Sequence, residues 1–379
     1  MKFIHLSDLH IGKRLCEYSL IDDQRYILNQ ILDIIKEEEP DGIIIAGDVY
    51  DKSIPSEEAV ELFDEFLYEL SVLPAETFII SGNHDSAERL SFAGRIIDAS
   101  GVHISHVYDG VFKPYKLYDE FGPVNVYMLP FVKPAHVRRF FPDDEIQSYT
   151  DAVDVAIKNM HINKDERNVL VTHQFVMGAV RSESEDISVG GTDNVDARVF
   201  EKFDYVALGH IHNPQNIGSE RIRYCGTPLK YSVSEATHDK SVTAFELGDG
   251  GTVKIKTIPL VPLHDLVKLK GTYLELTSKS LYNETSYQTD YVHITLTDEN
   301  DIIDASGKLG VIYKRLIGIN YDNTRTRKNN VITLDDKVEF KSPLELFEEF
   351  YKLQNNAEMS EEQREYVREL IEGIWEEER

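Results

Sequence analysis

Over the first two-thirds of the chain, short apolar runs rich in β-formers alternate with helix-period patterns. Phe3-Ile4-His5-Leu6 is one such run, and it ends at Asp8. Ile27, Ile31, Ile34 and Ile35 follow at three- and four-residue spacing, on one face of a predicted helix. The stretch DGIIIAGDVYD reads as a buried strand that ends at Asp48. Ser56–Leu73 predicts a second helix, with Pro55 near its start. Then Phe78-Ile79-Ile80 runs into Gly82-Asn83-His84-Asp85, and later runs are NVLVTHQF and DYVALGHIH. Strands alternating with helices predict α/β layers. From about Arg221 the helices thin out, and RIRYCGTP, SVTAFEL and TVKIKTIPL read as strands. The expected core is a mixed sheet covered by helices, over residues 1–264.

Around Leu263 the pattern changes. LVKLKGTYLELT, DYVHITLTD and LIGINYD predict three strands, with a helix across Ala305–Arg315. That makes a small α+β domain over residues 265–322. A polar linker, residues 323–340, opens with NTRTRKNN. Residues 341–379 predict two helices. Ser342-Pro343-Leu344-Glu345 and Ser360-Glu361-Glu362-Gln363 each have the form of a capping box. Tyr366, Val367, Leu370, Ile371, Ile374 and Trp375 form one apolar face on the second, otherwise acidic helix.

No apolar run approaches the ~18 residues of a membrane span. The N-terminus MKFIHLSDLHIGK is patterned as a structured element rather than a secretory leader. Cys16 and Cys225 are too few and too far apart for a disulfide framework, which points to a reducing, cytoplasmic setting with both thiols buried and free. The net charge of −27 argues at first against nucleic acid as a partner. Bound divalent cations, however, reverse the sign of a carboxylate-rich site. The acidity is also partly remote: residues 341–379 hold 12 Asp/Glu and 5 Lys/Arg, which contributes −7.

Five of the β-like runs end in metal-capable residues. They give Asp8-Leu9-His10, Gly47-Asp48, Gly82-Asn83-His84-Asp85, Thr172-His173 and Gly209-His210-Ile211-His212. In an open α/β sheet, sites form beyond the carboxyl ends of strands, so ligands scattered in sequence converge there. One such ending is ordinary; five in order are not. Imidazole, carboxylate and amide oxygen together suit Mn, Fe or Zn better than Ca or Mg. Seven ligands are too many for one ion with open positions. They suit two ions roughly 3.5–4 Å apart that share a carboxylate, an arrangement used for in-line phosphoryl displacement. No P-loop is present, so any use of ATP requires a partner.

In this order, the five segments resemble the calcineurin-like metallophosphoesterases. HLSDLHIGKRL, YVALGHIHNPQNI and RYCGTPLKYSVSE resemble, more narrowly, the SbcD family of nuclease subunits. The resemblance implies a four-layer αββα sandwich with a small α+β capping domain and C-terminal helices. It implies one metal held by Asp8, His10, Asp48 and His212, and a second held by Asp48, Asn83, His173 and His210, with Mn²⁺ as the expected ion. His84 would face the scissile phosphate as a proton donor, with Asp85 orienting its ring; Asp85 could also cap the SAERL helical turn. The implied activity is exo- and endonuclease processing of double-stranded DNA ends and hairpins in repair, recombination and replication. The implied partners are an SbcC-like ATPase and a second copy of the chain, together a heterotetramer associated with the bacterial nucleoid.

Lys13, Arg14 and Arg89 follow metal motifs and are candidates for DNA backbone contacts, as are Arg325, Arg327 and Lys328 in the linker. Tyr366, Leu370, Ile374 and Trp375 are candidates for docking the ATPase. EEAVELFDEFLYEL and ERLSFAGRIIDAS suit either a dimer surface or internal packing. Two other readings stand beside the nuclease: a phosphatase or phosphodiesterase acting on small phosphoesters, and a metal-binding scaffold. The serine/threonine phosphatases of this superfamily carry GD-x-x-D-R-G and end their third motif in glutamate, whereas Asp48 here is followed by VYDKSIPS and the third motif ends in Asp85. The intact ligand set with His84 present argues against a scaffold. His5, His103, His106, His136, His161, His238, His264 and His293 lie outside the motifs and read as core or surface residues.

Overall fold

The run Gly42–Ala46 forms a strand buried on both faces, and its alternation explains how the layers are built. Ile43 and Ile45 point to one core, Ile44 and Ala46 to another. This is the period-2 geometry of a strand sandwiched between two layers. The computed structural model of the chain describes residues 1–185, 193–329, 343–355 and 358–377. Its described chain falls into two compact units. The first is Met1–Lys268 with Thr285–His293 and Tyr313–Ile317; the second is Leu269–Glu284, Ile294–Ile312 and Gly318–Arg379.

The first unit holds two six-stranded sheets. One runs Val253–Pro259, Ser241–Leu247, Lys2–Leu6, Gly42–Ala46, Glu76–Ile80, Val102–Ile104. The last four strands are parallel, and Ser241–Leu247 joins them antiparallel to Lys2–Leu6. The other runs Gln215–Ile217, Ser219–Tyr224, Tyr205–Gly209, Arg167–His173, Gly122–Leu129, Tyr115–Asp119, with its central four strands parallel. Phe3, Ile44, Phe78 and Ile80 of the first sheet pack against Val126, Val169, Val171 and Tyr205 of the second. Helices Ile21–Glu38 and Glu57–Ser71 bury Ile27, Ile31, Leu62 and Phe66 against the outer face of the first sheet. Tyr149–Lys158 covers the second with Val153 and Ile157. The architecture is therefore helix, sheet, sheet, helix. Among the described residues, no helix is long and apolar enough to cross a membrane.

Several local readings are corrected. LVKLKGTYLELT is not one strand: Leu266–Gly271 is β, and Tyr273–Leu276 is a helical turn. Thr272 and Glu275 close a reciprocal capping box there, which overrides the β-propensity of Tyr273. The helix expected across Ala305–Arg315 ends at Gly310, and Arg315 already begins the strand Arg315–Tyr321. Within the stretch read as linker, Thr324–Asn329 is helical. Cys16 is exposed rather than buried, because it occupies the turn between the short strands Arg14–Leu15 and Tyr18–Ser19 with φ 54°. Cys225 is buried, and both thiols are free.

The two terminal helices are Pro343–Asn355 and Glu361–Glu377. Ser360 and Gln363 form the second expected capping box, with Ser360 N–H to Gln363 Oε1 at 2.9 Å and Gln363 N–H to Ser360 Oγ at 3.2 Å. Ser342, and with it the first box, lies outside the described residues.

Candidate metal centre

The residues expected to bind metal stand where the two sheets run out. Asp8 and His10 follow Lys2–Leu6, Asp48 follows Gly42–Ala46, and Asn83 and His84 follow Glu76–Ile80 in the first sheet. From the second sheet come His173, the last residue of its strand, and His210 and His212, just past Tyr205–Gly209. Backbone bonds lace the loops together: Asp8 N–H to Gly47 O and His10 N–H to Asp48 O, both 3.0 Å.

This convergence strains the backbone. Asp8, His10, Asp48 and His210 all adopt positive φ, at 52°, 44°, 49° and 102°. Each such residue costs on the order of 1–3 kcal/mol and persists only where its surroundings hold it. Crowding also demands glycine. A Cβ at Gly82 would lie 2.1 Å from Asp48 Oδ1, and one at Gly209 would lie 1.9 Å from the Ala46 carbonyl oxygen.

The donor atoms fall into three overlapping groups, each within 4.8 Å: Asp8, His10 and His212; Asp8, Asp48 and His173; His10, Asp48 and His84. His10 Nε2 and His212 Nε2 are 3.2 Å apart. Asp48 Oδ2 lies 3.8 Å from His10 Nε2 and 3.2 Å from His173 Nε2. The Asn83 amide oxygen is 3.0 Å from His173 Nε2 and 2.8 Å from His210 Nδ1. Asp48 thus belongs to both halves of the cluster. All seven residues except Asn83 are buried.

Burial and neighbouring charge set the protonation of these groups in opposite directions. Burial holds the His10 and His210 imidazoles well below their ordinary pKa, so both are neutral and offer lone pairs. Burial works against charge on His173 too, but Asp48 beside it pushes its imidazole up to about 9. Burial raises the Asp8 carboxyl. Burial also works to raise Asp48, yet the neighbouring His173 holds it well below the usual carboxylate range. His10 Nδ1 and His210 Nε2 are buried without a hydrogen-bond partner. The clustered imidazoles, two carboxylates and an amide oxygen fit divalent cations of the Mn, Fe or Zn type.

Some supporting residues escaped sequence reasoning. His173 Nδ1 lies 2.8 Å from the Ala46 carbonyl, an acceptor only, so this nitrogen carries the hydrogen and Nε2 faces the centre. Glu185 Oε1 accepts the His212 N–H at 2.6 Å, and Tyr231 donates its hydroxyl to the Leu9 carbonyl. Ser184, Glu235 and Lys240 lie behind His212. RYCGTPLKYSVSE contains Tyr231 and Glu235, so part of this support was present in a stretch already singled out.

Asp85 binds backbone rather than capping the turn that follows it. Its carboxylate accepts backbone N–H bonds from Val49 at 3.1 Å, Tyr50 at 2.9 Å and Gly82 at 2.9 Å. It clamps the Asp48 loop to the Asn83 loop. The helical turn Ala87–Leu90 is capped by Ser86 instead. The His84 ring has its Nδ1 3.1 Å from the Asp51 carbonyl oxygen. Burial and the charge of Asp48 push the Asp85 carboxyl up to about 6 despite its three N–H donors. The His84 ring meets that of His10 edge-on, centroids 4.9 Å apart, and its backbone N–H donates to Asp48 Oδ1 at 2.9 Å.

The other candidates are less concentrated. Lys13 is paired with Asp51 at 2.7 Å, while Arg14 and Arg89 are exposed and bond to the carbonyls of Glu17 and Ser53. Arg327 pairs with Asp322 at 2.7 Å; the side chains of Arg325 and Lys328 lie outside the described residues. On the terminal helices, Tyr366 and Leu370 are exposed, as are Leu346 and Phe350. The side chains of Ile374 and Trp375 lie outside the described residues. Of the remaining histidines, His5 is a core residue bonded to Tyr205 and Leu208, and His103 is held by Asp98 and Glu76.

Comparison with known proteins places this geometry. A family model described as calcineurin-like phosphoesterase matches residues 1–214. A second, described as type 5 capsule protein repressor C-terminal domain, matches residues 262–355. A protein of Staphylococcus epidermidis, the SbcD subunit of the nuclease SbcCD, is 30% identical over 381 residues, covering 99% of each chain. Among solved structures, a Thermus thermophilus protein aligns over 68% of this chain and 98% of its own at 12% identity, with a TM-score of 0.39. A dimetal phosphatase from Danio rerio aligns over 69% and 99% at 11% identity, with a TM-score of 0.36. The first model spans more than half of the chain and the Staphylococcus relative nearly all of it: the chain belongs to the calcineurin-like phosphoesterases, in the SbcD family, and is a metal-dependent phosphodiester hydrolase.

Proposed function

We propose that the chain is a two-metal, Mn²⁺-dependent DNA nuclease that works on double-stranded ends and hairpins, by exo- and endonucleolytic cleavage, in DNA repair and recombination. The observation that carries this reading is the convergence of seven ligand residues from two sheets, with His84 at their edge. Asp8, His10, Asp48 and His212 would hold one ion; Asp48, Asn83, His173 and His210 would hold the other. Bound divalent cations supply positive charge for the phosphoryl oxygens and a water of lowered pKa. The rest is done by side chains. Asp48 reaches both halves and keeps them in register. His84, with Nδ1 turned to the Asp51 carbonyl, delivers a proton from its other nitrogen to the leaving oxygen. Asp85 fixes the separation of the two loops through its three backbone bonds.

The DNA substrate is supported by the 30% identical relative, a nuclease subunit by name. The same name supports an SbcC-like ATPase partner, and the exposed Tyr366 and Leu370 support docking through the terminal helices, for which the sequence also offers Ile374 and Trp375. Residues 265–322 act as the capping, DNA-holding domain, residues 323–340 as the linker and 341–379 as the partner segment. Arg14 and Arg89 contact phosphates, and Lys13 joins them by exchanging Asp51 for a phosphate. The assembly is a homodimer of this chain within a cytoplasmic, nucleoid-associated heterotetramer. A substrate panel tests the reading: end-labelled duplex, hairpin DNA and a phosphomonoester, each with Mn²⁺. Cleavage of both DNAs is expected. Phosphomonoester hydrolysis with intact DNA would replace the nuclease with a phosphatase.

A further inference from the structure

Behind His212, on the side away from His10, lies a buried polar chain that ends in a charge. His212 Nδ1 is 2.7 Å from Ser184 Oγ. The same hydroxyl bonds to Glu235 Oε1. Glu235 is fully buried, and its other oxygen accepts from Lys240 Nζ at 2.6 Å. Lys240 is buried as well and donates also to Thr227 Oγ1 at 2.6 Å and to the His212 carbonyl at 3.0 Å. Both ends of His212 are therefore tied to one ion pair.

The hydrogens on this chain can be placed by counting. Lys240 only donates. An ionised carboxylate only accepts. Lys240 Nζ lies 2.6 Å from Glu235 Oε2 with both side chains buried, a geometry that pairs an ammonium with a carboxylate. Ser184 has one hydrogen and gives it to the carboxylate, the stronger acceptor. Its lone pair then faces His212, so Nδ1 must carry the imidazole hydrogen; a weaker approach of Nδ1 to Glu235 Oε1 at 3.4 Å acts in the same sense. What remains bare is Nε2, the atom 3.2 Å from His10 Nε2.

We propose that Ser184, polarised by the buried Glu235–Lys240 pair, is a positioning residue that locks His212 in its Nδ1–H tautomer and so aims the Nε2 lone pair at the cation site. The inference rests on the reading of His212 as a metal ligand. It assigns work to three residues, Ser184, Glu235 and Lys240, that lie outside the ligand motifs. A ring held this way offers its lone pair before any ion arrives. Ring rotation or tautomer exchange would break a chain of hydrogen bonds anchored on a desolvated charge pair. Such outer partners typically change metal affinity 10–100-fold when removed.

The test uses the full chain with ¹⁵N-labelled histidine and follows the His212 ring nitrogens by NMR in the metal-free state. Nδ1–H is expected in the wild type. Ser184→Ala, at a half-buried position that can lose an oxygen without unfolding, should give a mixture of tautomers; Ser184→Thr should restore one. Titration with Mn²⁺ should show one of two sites weakened about tenfold or more in Ser184→Ala and recovered in Ser184→Thr. An Nε2–H tautomer in the wild type overturns the proposal. So does a Ser184→Ala chain with unchanged tautomer and unchanged Mn²⁺ binding. An Nδ1–H tautomer in a wild type that binds no Mn²⁺ overturns the metal reading itself, and with it the purpose of the lock; the same tautomer with two Mn²⁺ bound but no DNA cleavage overturns only the nuclease reading.

Discussion

The Asn83 amide oxygen lies 3.0 Å from His173 Nε2, although strands from opposite sheets deliver the two residues. Neither sheet alone builds the centre. The first supplies the carboxylates and Asn83, and the second supplies three imidazoles. The inter-sheet core of Phe3, Ile44, Phe78, Val169 and Tyr205 is thus what sets ligand distances.

Asp48 is the residue shared by both halves, so Asp48→Ala should lose most of the bound metal rather than half of it. Elemental analysis of protein loaded with Mn²⁺ and desalted should fall from two ions per chain to well below one. Two ions retained per chain would show that Asp48 does not bridge.

Gly82→Ala places a Cβ 2.1 Å from Asp48 Oδ1 and 2.5 Å from Asp48 N. Backbone on one side and the buried Asp48 carboxylate on the other leave no cheap relief. We expect Asp48 to be displaced, with metal lost and stability lowered by about 1–3 kcal/mol, the usual cost of overpacking a tight site. Denaturant midpoints and metal content measured on the same preparation check this; unchanged values for both would contradict it.

The Glu235–Lys240 pair is buried on both sides. Lys240→Met would strand the Glu235 charge, at a cost of about 3–5 kcal/mol. Glu235→Leu combined with Lys240→Met should recover much of that loss, because no unpaired charge is left. Urea unfolding of the single and double variants measures both numbers. A single variant as stable as the wild type would mean that water reaches the pair.

His5 is buried between Tyr205 and Leu208, and burial with the Arg223 charge lowers its pKa to about 3 from an ordinary 6.5. The unfolded chain therefore binds one more proton than the folded chain between these values. Stability must fall as pH falls from about 6.5 towards 3, with His5 contributing a slope of up to about 1.4 kcal/mol per pH unit. His5→Gln should remove close to one proton from that slope. Equal slopes in the two chains, from urea midpoints at pH 4–6, would refute the assignment.

The layers and the convergence of the candidate loops were legible because two signals coincided. Runs such as GIIIA are apolar at every position, as strands buried on both faces must be, and each ends abruptly in residues with metal chemistry. Other features left no such mark. Ser184 and Glu185 sit in the polar stretch RSESED, which reads as solvated loop until the fold brings it against His212. Asp85 acts on backbone N–H groups of a loop more than thirty residues earlier, so its neighbours in sequence say nothing of its role. The turn Tyr273–Leu276 and the helix Thr324–Asn329 depend on local capping and side-chain bonds that outweigh average propensity.

The central claim is a two-metal nuclease whose proton donor is His84. Its most direct test pairs Mn²⁺-dependent cleavage of an end-labelled duplex with a metal count, for the wild type and His84→Ala. The account predicts cleavage by the wild type, and in the variant two ions retained with cleavage down by about 10²–10⁴-fold, the range of a lost general acid. A variant that keeps both its metal and its full activity would contradict the account.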